Sequence, residues 1–139
     1  MTHYLDASAL VSMFCADAHT PAVRRLLHGA ERLLVSDFAA AEFASAVARL
    51  HRADLLDRDE AEAIFGGFDL WNASRTLRIE ALPADMAAAA MLVRRLALGL
   101  RAPDALNLAI AQRARAILVT FDLRMAAAAR SLGVPVAAA

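Results

Sequence analysis

The sequence contains no lysine and only one cysteine. All fifteen basic residues are arginines, and they balance fifteen acidic residues to a formal net charge of zero. A neutral protein lacks the general attraction that basic proteins have for nucleic acids, so any such binding requires a local arrangement of arginines. The lone Cys15 excludes an internal disulfide and any zinc site built from several cysteines, which is typical of a reducing compartment.

Long apolar runs are also missing. No uncharged apolar run reaches the roughly 18 residues that a membrane-spanning helix needs. The most apolar stretch, residues 86–100, contains Arg94 and Arg95. The first residues carry no basic segment, and Asp6 interrupts the first apolar stretch, so we see no signal peptide. We therefore expect a soluble cytoplasmic protein with no membrane partner.

Short β-like runs alternate with long helix-like runs over 139 residues, which is the size of one domain. The 36 alanines favour helix. The predicted strands cover residues 2–5, 32–35, 77–82, 116–120 and 134–136. The predicted helices cover residues 7–14, 21–29, 37–52, 58–72, 83–98, 103–114 and 123–132, with Thr20, Ser36 and Asp57 as N-caps. This alternation predicts an α/β domain over residues 1–139, with a parallel sheet and helices on both faces.

Four acidic residues fall where such a sheet binds ligands, beyond the carboxyl ends of its strands. Asp6 and Asp122 follow predicted strands, Glu42 lies in the second turn of a helix, and Asp104 lies in the first turn of another. Taken singly, each aspartate is explained as a helix cap or N-terminal charge. Glu42 is harder to explain, because its apolar neighbours make a lone charge costly.

Together, the four carboxylates predict a cation site. Converging carboxylates repel one another and raise their pKa values, and a hard divalent cation relieves that repulsion. Mg²⁺ takes one or two carboxylates directly, keeps several waters, and can promote phosphodiester cleavage. Asp6 and Asp104 rank first as direct ligands. Zinc is disfavoured because the four histidines form no i, i+4 pair and have no predicted placement near the acids.

Four segments carry a resemblance to a known family. They are residues 4–10 (YLDASAL), 36–42, 101–109 (RAPDALNLA) and 118–122 (LVTFD). In this order and spacing they resemble the PIN domain family, and specifically its VapC-type toxin ribonucleases. The resemblance implies a PIN-like three-layer sandwich whose metal site is made by Asp6, Glu42, Asp104 and Asp122. It also implies an Mg²⁺- or Mn²⁺-dependent endoribonuclease that is a homodimer and is inhibited by a small antitoxin.

Three further residues match supporting positions in that family. Ser8 and Thr120 match hydroxyls beside the acids, although backbone capping explains Ser8 equally well. Asn107 lies three residues after Asp104 on the same helix face, so it can orient Asp104 or a water.

Three arginines are candidates for binding RNA phosphates. Arg49 lies seven residues after Glu42, about 10 Å further along the same helix face. Arg101 and Arg124 lie close in sequence to Asp104 and Asp122. For each arginine taken alone, a solvated salt bridge is the simpler explanation.

An aromatic stripe of Phe65, Phe68 and Trp71 has helical spacing, which predicts core packing. Gly66 and Gly67 lie within the same predicted helix, where each costs roughly 1 kcal/mol relative to alanine. A packing or partner contact could explain them. We therefore keep two alternatives for the stripe, a core role or an antitoxin-binding surface.

The main hypothesis is a toxin endoribonuclease that cleaves RNA phosphodiester bonds. The alternative is a catalytically silent PIN-fold binding module, which Mn²⁺ would not stabilise against heat if it had lost its metal site. A phosphoacceptor domain is excluded because the chain has no lysine to pair with a phosphoaspartate. A nucleotide-binding domain is disfavoured because no glycine-rich phosphate loop occurs.

Overall fold

A computed structural model describes residues 1–137 of the chain. The strands in this range are β1 (Thr2–Leu5), β2 (Arg32–Ser36), β3 (Leu77–Ile79), β4 (Ile117–Val119) and β5 (Val136–Ala137). The α-helices are α1 (Ala7–Phe14), α2 (Thr20–His28), α3 (Asp37–Arg52), α4 (Arg58–Arg75), α5 (Pro83–Arg94), α6 (Ala102–Ala114) and α7 (Leu123–Ser131).

The strands form one parallel sheet in the order β3-β2-β1-β4-β5. The chain builds outward from β1 through β2 to β3, and then returns to place β4 on the other side of β1. The direction of winding therefore reverses between β1 and β4. At such a reversal the connections leave in opposite directions, and a crevice opens at the carboxyl ends of the two strands.

Helices cover both faces of the sheet, as predicted, because alternate strand residues point to opposite sides. Tyr4 and Leu118 pack into a core with α5, α6 and α7. Leu5 and Val119 pack into a second core with the first four helices. The result is the three-layer α/β sandwich that the sequence predicts.

Side-chain caps end the strands and begin the helices at the carboxyl edge. Asp6, Ser36 and Asp122 each accept a hydrogen bond from the backbone N–H three residues later. Asp57 and Glu60 form a reciprocal capping box at the start of α4. These local bonds explain why the predicted starts of α3, α4 and α7 are correct.

Other predicted boundaries are wrong. Thr20 is the first residue of α2 and not its N-cap, because its Oγ1 donates to the Ser12 carbonyl oxygen. The helix predicted over residues 83–98 ends at Arg94, and a single 3-10 turn, Leu96–Leu98, follows it. Gly99 ends that turn with a φ of 63°, which glycine adopts without strain. Helix α4 extends three residues beyond its predicted end, and β3 stops at Ile79 instead of residue 82.

One ion pair ties two helices of the same layer together. The Arg113 guanidinium on α6 donates to both carboxylate oxygens of Asp85 on α5, at 2.8 and 2.9 Å. Asp85 is buried, and Arg113 holds its pKa below the usual range through hydrogen bonds and charge.

Within residues 1–137, no helix combines the length and hydrophobicity that crossing a membrane requires.

Candidate active site

All four predicted acids line a single cavity of about 600 Å³ at the carboxyl edge of the sheet. Ser8, Asn107, Arg49 and Arg101 line it as well. The cavity lies at the crevice between β1 and β4, which is where the reversal of winding predicts a ligand site. The structure therefore brings together residues that are up to 116 positions apart in the sequence.

Asp6 is held by three hydrogen bonds at the end of β1. Its Oδ1 accepts from Ser8 Oγ at 2.7 Å and from the Ala9 N–H at 3.0 Å. Its Oδ2 accepts from Thr120 Oγ1 at 2.5 Å. A carboxylate has about four acceptor positions, so Asp6 retains capacity for one more partner. Burial raises the pKa of Asp6, while the bonds from Thr120, Ser8 and Ala9 lower it.

The Ser8 and Thr120 hydroxyls join Asp6 to the segment after β4. Ser8 Oγ accepts from the Phe121 N–H at 2.9 Å, and Thr120 Oγ1 accepts from the Asp122 N–H at 3.1 Å. The parallel pairing of Leu5 with Val119 makes this possible, because it places the ends of β1 and β4 side by side. Both hydroxyls lie beside the acids, as expected, and Ser8 also serves as a backbone acceptor.

Asn107 orients Glu42 and not Asp104, which corrects the expectation from sequence. Its amide nitrogen donates to Glu42 Oε1 at 2.7 Å and to the Pro103 carbonyl oxygen at 3.1 Å. Helical spacing indicates only neighbours on the same helix, whereas this bond runs from α6 to α3. Asn107 is almost fully buried, so its amide is held in one orientation.

The buried Tyr4 completes this network, although it is not one of the site residues predicted from the sequence. Its hydroxyl donates to Asn107 Oδ1 at 2.5 Å and lies 2.7 Å from Ser36 Oγ. Burial raises the pKa of Tyr4, so the hydroxyl keeps its proton. A tyrosine in a buried strand signals such a bond, because a buried hydroxyl needs a polar partner. Its partner could be found only from the fold.

Glu42 and Asp104 have pKa values above the usual carboxyl range. Burial is the main cause in both cases. The charges of Asp6 and Asp104 raise the pKa of Glu42 further, and the charge of Asp122 raises that of Asp104. Arg101 and Arg124 act in the opposite direction on Asp104. The acids therefore repel one another across the cavity.

The donor chemistry of the cavity fits a hard divalent cation. None of the ion pairs found within residues 1–137 includes one of the four acids. Oxygen donors under mutual repulsion suit Mg²⁺ or Mn²⁺, and Mg²⁺ needs only one or two direct carboxylates. In the same range no three His, Cys, Asp or Glu side chains are grouped closely enough to hold an ion. The four-carboxylate metal site therefore stays a prediction.

Each of the three predicted arginines lines a cavity that also contains predicted acids. Arg49 and Arg101 line the main cavity. Arg124 lines a smaller adjoining groove together with Arg101, Asp104 and Asp122. The structure thus provides a local cluster of arginines, although the net charge of the chain is zero.

His19 also lines the cavity, a placement that the sequence did not predict for any of the histidines. Its imidazole stacks on the Phe121 ring, with centroids 4.4 Å apart and planes 15° from parallel. The two residues are 102 positions apart. No local sequence pattern could have paired them, because the contact depends on how the segment before α2 packs beside the end of β4.

Phe68 of the aromatic stripe is a core residue. It is 5% exposed, and its ring centroid lies 4.6 Å from that of Phe43 and 5.6 Å from that of Phe14. Of the two alternatives kept for the stripe, Phe68 therefore takes the core role, because its side chain packs between α1 and α3 and is not available to an antitoxin. Phe65 and Trp71 are only partly buried, and their partner role stays a prediction.

Residues 3–131 match the PIN domain. The chain belongs to the PIN domain family. No curated protein matches this PIN domain significantly by sequence.

Solved structures with a similar fold include three from bacteria. VapC20 of Mycobacterium tuberculosis, a sarcin–ricin loop cleaving toxin, is 18% identical with a TM-score of 0.72, covering 91% of this chain and 94% of its own. FitAcB of Neisseria gonorrhoeae is 20% identical with a TM-score of 0.69, covering 96% and 95%. VapBC2 of Rickettsia felis, bound to a promoter DNA fragment, is 16% identical with a TM-score of 0.67, covering 98% and 96%. At these identities the likeness shows the PIN fold.

Proposed function

We propose that this PIN domain is an Mg²⁺- or Mn²⁺-dependent endoribonuclease and the toxin of a toxin–antitoxin pair. The observation that carries the proposal is the single cavity lined by four carboxylates at the reversal of the sheet. Burial and then the charges of neighbouring acids raise the pKa values of Asp6, Glu42 and Asp104, and a bound cation would offset both effects, which supports the proposal. The similar fold of a toxin that cleaves the sarcin–ricin loop is consistent with RNA as the substrate.

The four acids take different parts in the proposed site. Asp6 and Asp104 are the first candidates for direct ligands, and Glu42 and Asp122 bind directly or through water. A bound Mg²⁺ or Mn²⁺ would supply the positive charge that activates water and offsets the charge building on the phosphate.

Residues of the chain hold the acids in position, and one of them accepts a proton. Ser8 and Thr120 hold Asp6, and Asn107 holds Glu42 by one oxygen. The second oxygen of Glu42 accepts no hydrogen bond from any residue in the range 1–137. Its raised pKa suits Glu42 to accept a proton from the attacking water. Arg49, Arg101 and Arg124 bind the RNA phosphates around this centre.

The proposal is tested by comparing RNA cleavage by the parent with cleavage by variants that lack one of the four carboxylate charges. The parent should cleave RNA when Mg²⁺ or Mn²⁺ is added, whereas Asp104→Asn and Asp6→Asn should lose cleavage while remaining folded. Asp69→Asn removes an exposed carboxylate of α4, outside the cavity, and is the matched control with parental cleavage. Near-parental cleavage by Asp104→Asn would remove this residue from the metal site.

The alternative is a PIN-fold binding module that has lost catalysis. The complete set of four acids around one cavity argues against it. Mn²⁺ titration followed by thermal unfolding separates the two functions. A metal site predicts a melting temperature that rises with Mn²⁺ and no rise for Asp104→Asn, since a ligand that binds only the folded state stabilises it. A parent that Mn²⁺ leaves unchanged would favour the binding module.

We further propose a small antitoxin as inhibitor, with the toxin acting in the cytoplasm as a homodimer. A basic side chain of the antitoxin can occupy the acid-lined cavity through charge-assisted hydrogen bonds. The partly buried Phe65 and Trp71 are candidates for its apolar contact. Co-expression with the adjacent small gene product should yield an inactive complex that binds Mn²⁺ poorly. Changing the inserted basic residue to glutamate should restore cleavage, and a complex that cleaves RNA at the free rate would exclude this form of inhibition.

A further inference from the structure

An aromatic pair forms part of the wall of the acid-lined cavity. The His19 and Phe121 rings are stacked, and both residues line the cavity that holds the four acids. His19 is exposed, whereas Phe121 is half-buried and packs against the core, so the surface open to a further flat group is mainly that of His19. Aromatic surfaces next to phosphate-binding groups are typical of sites that stack unpaired nucleobases.

The loop before α2 holds His19 by hydrogen bonds within the chain. Asp17 accepts from the His19 N–H at 2.8 Å and from Ser12 Oγ at 2.8 Å. Thr20 Oγ1 accepts from the Asp17 N–H at 2.8 Å and donates to the Ser12 carbonyl oxygen at 2.6 Å. These bonds tie the loop to α1. The aromatic surface is therefore formed in advance, which reduces the entropy lost when a ligand binds.

Phe121 is linked to the centre of the site by two hydrogen bonds. Its N–H donates to Ser8 Oγ at 2.9 Å, and Ser8 Oγ donates to Asp6 Oδ1 at 2.7 Å. The aromatic pair thus has a fixed position relative to Asp6. A base stacked on the pair would therefore lie in the same cavity as the acids.

We propose that the His19–Phe121 pair is a nucleobase-binding subsite, which stacks one unpaired base of the RNA beside the bond to be cleaved. This inference rests on the proposed function, because it takes RNA as the ligand. Arg49 and Arg101 line the same cavity and supply charge for the phosphates, while the pair supplies the stacking surface. Every base has a flat face, so the subsite tolerates any base and favours single-stranded over duplex RNA.

The experiment uses a short single-stranded RNA that carries a fluorescent adenine analogue, whose emission falls when it is stacked. Binding is measured in the Asp104→Asn background to prevent cleavage. The background protein should quench the analogue, and adding His19→Ala should abolish the quenching and weaken RNA affinity by about 5- to 150-fold, as loss of a stacking side chain does. His19→Phe keeps a flat ring and should restore both. His28→Ala removes an exposed histidine of α2 outside the cavity and is the matched control.

Cleavage kinetics in the protein with Asp104 intact give a second measurement. His19→Ala and Phe121→Leu should raise KM for single-stranded RNA, and His19→Phe should not.

If His19→Ala behaves as His28→Ala does in binding and cleavage, the pair only packs the loop. The subsite is then overturned, while the proposed nuclease function stands. If His19→Ala weakens RNA affinity and His19→Phe does not restore it, stacking is not the cause of binding and the subsite is overturned. If His19→Ala alters only antitoxin binding, the pair belongs to a protein interface. A parent that neither binds nor cleaves RNA overturns the proposed function and the subsite with it.

Discussion

Single residues of the site serve the fold and the proposed chemistry at once. Asp6 caps α1, ends β1 and is the most buried of the four acids. Its three hydrogen bonds stabilise a carboxylate that burial would otherwise disfavour. The explanation of Asp6 as a helix cap is therefore correct, and it does not compete with a role in the site.

The charge on Asp104 should lower the stability of the metal-free protein. Its pKa is higher in the folded state than in the unfolded chain, because of burial and the charge of Asp122. The folded state therefore loses stability as the pH rises from the ordinary carboxyl pKa through the raised value. Asp104→Asn removes this penalty, so metal-free Asp104→Asn should melt above the parent at neutral pH and equally at acidic pH. Thermal unfolding against pH, with a chelator present, measures the difference, and a lower melting temperature at neutral pH would contradict it.

The Tyr4 hydroxyl should position Glu42 through Asn107. Tyr4→Phe leaves the buried Asn107 Oδ1 without its donor, which should cost about 1–3 kcal/mol of unfolding free energy. Asn107 keeps its bond to the Pro103 carbonyl oxygen but holds Glu42 less firmly, so RNA cleavage should fall. Urea unfolding and cleavage assays check the two parts. Unchanged cleavage in a destabilised Tyr4→Phe protein would limit Tyr4 to a structural role.

At the scale of elements, α4 carries two glycines that packing within the chain does not require. Gly66 and Gly67 are exposed, and a Cβ added at either position would meet nothing within 4 Å. The hypothesis that close packing explains them is therefore not supported. Their cost in α4 should be removable by substitution.

Gly66→Ala should stabilise the protein by about 1 kcal/mol, because alanine has the higher helix propensity. Gly99→Ala is the matched control and should destabilise, because Gly99 has a φ of 63°, where a Cβ is strained. Urea unfolding of both variants checks the prediction. If Gly66→Ala lowers the free energy of unfolding, a contact absent from the structure of the single chain requires the glycine. An unchanged stability but impaired antitoxin binding would indicate that a partner approaches α4 closely.

For the whole molecule, the proposed RNA binding must come from the distribution of charge, since the net charge is zero. Arginines line the cavity and its adjoining groove beside the acids. The positive charge is therefore local, and each phosphate contact should show in the salt dependence of binding. Loss of one such contact is measurable without any knowledge of the preferred RNA sequence.

Arg49→Ala should weaken RNA binding more than Mn²⁺ binding and reduce the slope of log affinity against log salt by about 1. Arg52→Ala removes an exposed arginine from the last turn of α3, outside the cavity, and should leave the slope unchanged. Fluorescence anisotropy with a short RNA at several salt concentrations measures both. If Arg49→Ala and the parent bind RNA with equal affinity at low salt, Arg49 does not contact the RNA.

The sequence by itself determined the order of strands and helices, most helix starts and the identity of the four acids. These features are local, because caps, glycines and apolar periodicity act over a few residues. Only the tertiary structure decided that Asn107 contacts Glu42, that Tyr4 supports it, that Phe68 is buried, and that His19 stacks on Phe121. Each of these contacts joins distant segments, and only the parallel pairing of the strands with the packing of the helices around them sets its geometry.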